Sequence, residues 1–102
     1  MPAVSVLADL HRERVGRLPC VACSVLQGVD TRPVDLHHME HERHPFSDFL
    51  LLPLCWEHHR GFTGVHGRHR LGFEKLHGIT QLQLLGVVIS MLLADRASLV
   101  GG

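Results

Sequence analysis

Apolar and polar residues follow both helical and strand-like spacing along this chain, which indicates a mixed α+β fold. Residues 3–15 place apolar side chains at helical spacing, and this pattern predicts an N-terminal helix that Gly16 ends. Residues 34–39 and the continuous apolar run 49–54 predict two short strands, and the polar loop between them indicates a hairpin. A short helix is expected directly after Cys55.

Helical spacing returns in the C-terminal third of the chain. Residues 71–77 form a helical segment that Gly78 ends, and Thr80 with Gln83 has the spacing of a capping box that begins a last helix. Over residues 82–94 this helix is apolar almost all round. Such a helix is buried in its own core or in a homodimer, and the pattern leaves both open. The apolar run is about half the length of a bilayer span, so no membrane is expected.

Histidine and cysteine content favours metal binding. The chain carries ten histidines and three cysteines, and an odd cysteine count with a CxxC pair argues against a secreted disulfide framework. The N-terminus has no basic segment followed by an apolar one, so no secretory signal is expected, and the cytoplasm is the expected location. Ten Lys plus Arg balance ten Asp plus Glu, which is weak evidence against a protein held on nucleic acid by bulk charge alone.

Four side chains have the spacing of a structural zinc site. Two residues separate Cys20 from Cys23, and two separate Cys55 from His58, so each pair can hold one ion. A structural Zn²⁺ takes four such donors in a closed tetrahedron. The sequence therefore predicts that these two pairs converge on one zinc ion, and the alternative is that the cysteines are unrelated.

Four further histidines lie near these donors in the sequence: His37, His38, His59 and His66. Successive strand residues point to opposite faces, so His37 and His38 are expected to have different roles. His59 and His66 share a helix face if the helix continues through the glycines between them. These rings suit a metal site with an open position and a free imidazole as proton acceptor; the alternative is a set of buried or solvated structural histidines.

These motifs together resemble the HNH, or ββα-metal, nucleases, and more closely the phage and prophage recombination enhancement nucleases of the Ref type. The matching segments are LPCVAC, DLHH, SDFLLLPLCWEHH, GVHG and FEKLHGI, which lie within residues 18–79. The resemblance implies a single domain, residues 1–102, with a zinc-stabilised, treble-clef-like ββα-metal core at 18–66. An N-terminal helix at 1–17 and C-terminal helices at 67–97 would flank that core.

The resemblance also implies roles for the histidines. His38 would be the general base that activates water. His37, His59 and His66 would hold the catalytic cation, although His66 would alternatively contact the scissile phosphate. His58 would complete the zinc site with Cys20, Cys23 and Cys55, but the adjacent His58 and His59 are interchangeable at this stage.

One family residue is missing from the pattern. The middle Asn of the family motif is absent, and Asp48 or His44 lies nearest its place. What orients the base is therefore left open between these two residues.

The implied reaction is hydrolysis of a DNA phosphodiester with one divalent cation, Mg²⁺, Mn²⁺ or another, leaving 5′-phosphate and 3′-hydroxyl ends. Residues expected to contact the DNA phosphates are basic and lie near the histidines: Arg60, Arg68, Arg70 and Lys75. Solvated surface is the alternative for each of them. The bacterial host cell is the setting that a phage or prophage origin implies.

Two other functions compete with the nuclease hypothesis. One is a catalytically silent, zinc-stabilised module that binds nucleic acid or protein, which the neutral net charge and the missing Asn favour. The other is a metal-storage or pH-sensing protein built on the histidine content. The four histidines outside the zinc set favour the nuclease, because a binding module does not need them together.

Overall fold

A computed structural model of the chain describes residues 3–39 and 44–99, with side chains described as far as residue 95. Within these residues the fold is α+β, with one two-stranded sheet surrounded by helices. The elements in chain order are α1 (Val4–Gly16), α2 (Val21–Gln27), β1 (Asp35–His38), a 3-10 turn (Ser47–Phe49), β2 (Leu51–Leu54), α3 (Trp56–His59), α4 (Val65–His77) and α5 (Gln81–Leu99).

The predicted hairpin is present. β1 and β2 pair antiparallel, with His37 opposite Leu52 and His38 opposite Leu51. All of β2 is buried, because α1 and α5 both pack against it. β1 follows the alternation expected of a strand: His37 is buried and His38 is exposed. The two histidines therefore lie on opposite faces, as the sequence pattern predicted.

Helix α1 agrees with the predicted N-terminal helix and packs through a narrow face. Ala8 and Val15 are buried, whereas Val4 and Leu7 are exposed. The His11 ring packs against Phe49, with the ring centroids 5.5 Å apart. Through this face, α1 packs against both the 3-10 turn and the sheet.

Helix α2 was not predicted from the sequence. Cys20 caps its N-terminus, because its Sγ accepts a hydrogen bond from the backbone N–H of Cys23 at 3.4 Å. Gly28 ends the helix in the left-handed region, at φ 66°. Seven residues are too few to show a clear helical periodicity of apolar positions. The CxxC motif alone indicated only a tight turn.

Gly64, just before α4, and Gly67, in the first turn of α4, allow the chain to fold back on itself after α3. A Cβ on Gly64 would lie 2.5 Å from the carbonyl oxygen of Glu57, and one on Gly67 would lie 2.2 Å from that of Gly61. The helix does not continue through the glycines, because α3 ends at His59 and α4 begins at Val65, so His59 and His66 lie on two different helices. A break at His69, whose backbone is not helical (φ 62°, ψ 168°), divides α4, and the predicted segment 71–77 lies in the part of α4 after this break.

Helix α5 begins with the predicted capping box. The backbone N–H of Gln83 donates to Thr80 Oγ1 at 3.0 Å, and that of Thr80 donates to Gln83 Oε1 at 2.9 Å. The inward face of the helix buries three apolar side chains in the core: Leu84, Leu85 and Val88. The outward face leaves three exposed: Leu82, Ile89 and Leu93.

Among the described residues, no single helix combines the length and apolar composition needed to cross a bilayer. Helices α4 and α5 reach those criteria only as a pair, across a bend of 81°.

Replacement of Gly67 by alanine should disrupt the fold-back between α3 and α4. The new methyl group would overlap a backbone oxygen, so we expect Gly67→Ala to lower the free energy of unfolding by at least about 2 kcal/mol in urea denaturation. Gly72→Ala, in the part of α4 after the break at His69, is the control, since its Cβ would lie an ordinary 3.5 Å from Arg68 Cβ. That variant should gain roughly 0.5–1 kcal/mol from helix propensity. Equal stability of the two variants would contradict this account.

Candidate functional site

Three cysteines and one histidine form a buried cluster where α2 meets α3. Cys20 and Cys23 lie at the start of α2, Cys55 precedes α3, and His58 lies within α3. His58 Nδ1 is 3.7 Å from Cys20 Sγ and 3.4 Å from the Sγ atoms of both Cys23 and Cys55. The Sγ atoms of Cys23 and Cys55 are 3.8 Å apart. The structure therefore brings together the four donors that the two spacings predicted.

These separations fit a tetrahedral zinc ion. With Zn–S bonds of about 2.3 Å and Zn–N bonds of about 2.05 Å, tetrahedral geometry places two sulfurs about 3.8 Å apart and a sulfur and a nitrogen about 3.6 Å apart. All three thiols are buried and none is in a disulfide. Burial raises the pKa of Cys20 to about 12, so this thiol keeps its proton unless a cation displaces it.

A second cluster consists of three imidazoles from three different elements. His37 lies on β1, His59 ends α3 and His66 lies in the first turn of α4. The ring centroid of His37 is 5.4 Å from that of His59 and 5.3 Å from that of His66. The Nε2 atoms of His59 and His66 are 3.1 Å apart. Of the adjacent pair that sequence left interchangeable, His58 thus joins the cysteines and His59 joins the histidines.

Two of these rings, His37 and His59, are oriented by hydrogen bonds to neighbouring side chains. His59 donates its Nδ1–H to Asp35 Oδ2 at 3.1 Å, and His37 donates its Nε2–H to Gln81 Oε1 at 3.1 Å. Histidines that bind metals in proteins are oriented by this kind of contact. Two imidazole nitrogens bound to one cation at about 2.1 Å lie roughly 3.0–3.4 Å apart. The 3.1 Å between the facing Nε2 atoms of His59 and His66 therefore fits one shared ion.

The environment of His37 keeps that ring neutral. Burial, together with the nearby rings of His59, His66 and His38, lowers the pKa of His37 to about 4. A neutral imidazole is the form that binds a metal. The cluster opens into a cleft of about 120 Å³ whose lining includes His37, His66 and Arg70.

His38 lies on the opposite face of β1 from His37 and belongs to neither cluster. Its Nε2 is 2.8 Å from Asp48 Oδ1, and this hydrogen bond is the main cause that lowers the pKa of Asp48. An ionised carboxylate can only accept, so His38 carries its proton on Nε2 and its lone pair on Nδ1. Of the two residues nearest the place of the missing Asn, Asp48 contacts His38, whereas His44 Nδ1 accepts from the backbone N–H of Phe46.

The four basic residues singled out in the sequence differ in their surroundings. Arg70 lines the cleft beside the histidine cluster. Arg68 stacks over the Phe62 ring at 4.3 Å and donates to the Phe62 carbonyl oxygen at 3.0 Å. Arg60 and Lys75 are exposed. Only Arg70 of the four is therefore placed by the structure at the mouth of the cluster.

Sequence reasoning did not identify the two residues that orient the cluster. Asp35 carried a usable signal, because it lies two residues before His37 on the same strand face. Gln81 carried none, since it reaches His37 across 44 positions of sequence. Its position depends on how α5 packs on the hairpin.

The chain matches a model of a known protein family. A family model described as "Recombination enhancement, RecA-dependent nuclease" matches residues 9–84, which is about three quarters of the chain. The matched region contains both clusters, His38 and Asp48. No protein among those with curated descriptions matches the chain.

Replacing one donor in each cluster should show that the two clusters bind metal independently. Cys55→Ala removes a donor from the first cluster, so we expect it to lose tightly bound zinc and at least about 3 kcal/mol of folding stability. His66→Ala removes a donor from the second cluster and should keep that zinc while losing a second, weaker metal-binding event. Elemental analysis and calorimetric titration measure the two. A full equivalent of zinc in Cys55→Ala with unchanged melting would contradict the assignment.

Proposed function

Since this chain belongs to the recombination enhancement, RecA-dependent nuclease family, we propose that it is a metal-dependent DNA endonuclease of the HNH type. The observation that carries this proposal is the second cluster. The donor atoms of His37, His59 and His66 lie close enough to share one ion, Gln81 and Asp35 orient His37 and His59, and the cluster opens into a cleft. A purely structural zinc module has no use for a second, open set of metal donors.

The arrangement of elements supports the ββα-metal assignment. An antiparallel hairpin of β1 and β2 leads directly into α3, and each of the three elements contributes to a cluster or to its frame. The cysteine cluster takes the place of the structural zinc knuckle in this proposal. Zn²⁺ would be held by Cys20, Cys23, Cys55 and His58.

The catalytic cation would be held by His37, His59 and His66. The chemistry supplied by a bound divalent ion is electrostatic: neutralisation of charge on the scissile phosphate and on the leaving oxygen. Three neutral imidazoles contribute no negative charge of their own, so the full charge of the ion would remain available to the phosphate. Arg70, at the edge of the same cleft, would contact a phosphate oxygen.

His38 would be the general base. Its Nδ1 bears the lone pair and would accept a proton from the attacking water, while Asp48 holds the opposite nitrogen. Asp48 thus replaces the family's middle Asn in orienting the base. Its negative charge also stabilises the imidazolium that forms when His38 takes up the proton.

Neutral charge explains why such an enzyme would depend on a partner. Ten basic and ten acidic side chains leave no net charge to attract DNA, and Arg70 is the one of the four candidate phosphate-binding residues that lines the cleft. RecA, on which the family description says the nuclease depends, would supply effective concentration by holding DNA beside the enzyme.

The second candidate is a catalytically silent binding module, and the neutral charge also agrees with it. The two proposals differ in what the histidine cluster does. A module would tolerate loss of His38 without consequence, whereas the nuclease would not.

Replacement of His38 by alanine should abolish cutting. We expect His38→Ala to reduce the rate of plasmid nicking, measured with RecA and Mg²⁺ or Mn²⁺, by roughly 10²–10⁴-fold, the usual contribution of a general base. Zinc content should stay unchanged, because His38 belongs to neither cluster. His44→Ala is the matched control, an exposed histidine near the same turn that should cut at the wild-type rate. Wild-type nicking by His38→Ala would remove His38 as the base.

A further inference from the structure

Arg12 on helix α1 is joined to the proposed base through a single carboxylate. The Nη1 atom of Arg12 lies 2.8 Å from Asp48 Oδ2, while the other oxygen of the same carboxylate, Oδ1, lies 2.8 Å from His38 Nε2. Each oxygen of Asp48 thus has its own partner on opposite sides. The Asp48 side chain cannot rotate toward solvent without breaking both contacts.

The guanidinium of Arg12 is itself held in place. Its Nη2 contacts Asp9 one turn earlier on α1, so the two Nη atoms are engaged by two different carboxylates. The helix that carries Arg12 is seated on the 3-10 turn that carries Asp48, through the contact between the rings of His11 and Phe49. The contact with Asp9 and the packing of α1 on the 3-10 turn therefore hold the Arg12 guanidinium in place beside Asp48.

We propose that Arg12 is a positioning residue for the nuclease reaction, which acts through Asp48 to hold the His38 ring with Nδ1 directed at the attacking water. This inference rests on the proposed function of His38. It assigns helix α1, which contributes no residue to either described cluster, a role in catalysis in addition to its role in the core.

The proposed role of Arg12 depends more on the direction of its hydrogen bond to Asp48 than on its charge. The side chains of Arg12 and Asp48 are 36% and 33% exposed, so water screens their attraction and the pair contributes modestly to stability. What the arginine adds is direction, because a planar guanidinium places its N–H groups at fixed angles. The 3-10 turn spans only Ser47–Phe49 and gives Asp48 little support of its own.

Docking of α1 does not require Arg12. The helix is held by the buried side chains Ala8 and Val15 and by the His11 ring. Variants at Arg12 are therefore expected to fold and to keep their zinc. An effect of Arg12 on rate can then be separated from an effect on stability.

Kinetics of cutting test the proposal directly. We expect Arg12→Ala to lower kcat about tenfold, a part of what a general base contributes, with KM for DNA changed less than about twofold. Arg12→Lys should recover part of the loss, since it keeps the charge without the planar fork. The matched control is Arg17→Ala, which breaks the 2.5 Å pair with Glu13 on the same helix and should leave kcat unchanged.

A double-mutant cycle decides whether Arg12 acts through Asp48. If it does, Arg12→Ala should cost nothing further in an Asp48→Asn background. Additive losses in the double variant would overturn the proposal, because they would mean that Arg12 influences the reaction by another route. A kcat of Arg12→Ala equal to that of the wild type would overturn it as well.

Nitrogen NMR of the histidine rings gives a readout that does not require cutting. The His38 signals are identified by their loss in His38→Gln, in zinc-loaded protein above the pH range where imidazoles titrate. We expect the Nε2–H tautomer in the wild type and a mixture of tautomers in Arg12→Ala. An unchanged tautomer would overturn the proposal. If the wild type does not cut DNA, the proposed function fails, and this spectrum still decides whether Arg12 positions the ring.

Discussion

The structure depends on the attachment of one short helix to the cysteine pair of α2. Helix α3 is a single turn, Trp56–His59, too short to be stable by itself. Its orientation is set by Cys55 and His58, whose side chains meet Cys20 and Cys23. Because His58 and His59 are adjacent, turning His58 toward the sulfurs turns His59 toward β1. The buried cluster thereby determines where the open cluster forms.

The open cluster is assembled from three directions, and each direction has its own physical support. The β1 pairing with β2 carries His37, the cysteine cluster orients His59, and the glycine-dependent fold-back brings His66 within 3.1 Å of it. Asp35 and Gln81 then fix which nitrogen each ring presents. A site built this way loses its geometry when any one support fails, even if the donors themselves are retained.

The two faces of strand β1 hold His37 and His38 in different environments. His37 faces the interior, where burial keeps the ring neutral, and His38 faces outward, where Asp48 and then Arg12 hold it. Alternation of a strand gives this separation with two consecutive residues. The side of the histidine cluster is thus supported by α3, α4 and α5, and the side of the proposed base is supported by α1 and the 3-10 turn.

Local patterns in the sequence were enough to predict α1, the hairpin, the capping box of α5 and the grouping of Cys20 with Cys23 and of Cys55 with His58. Each of these depends on residues a few positions apart, whose geometry the backbone dictates. Sequence could not separate His58 from His59, find Gln81 or Arg12, or choose the buried face of α5. Those features depend on contacts between residues far apart in the chain, such as the 44 positions from His37 to Gln81, and only packing of the helices against the sheet creates them.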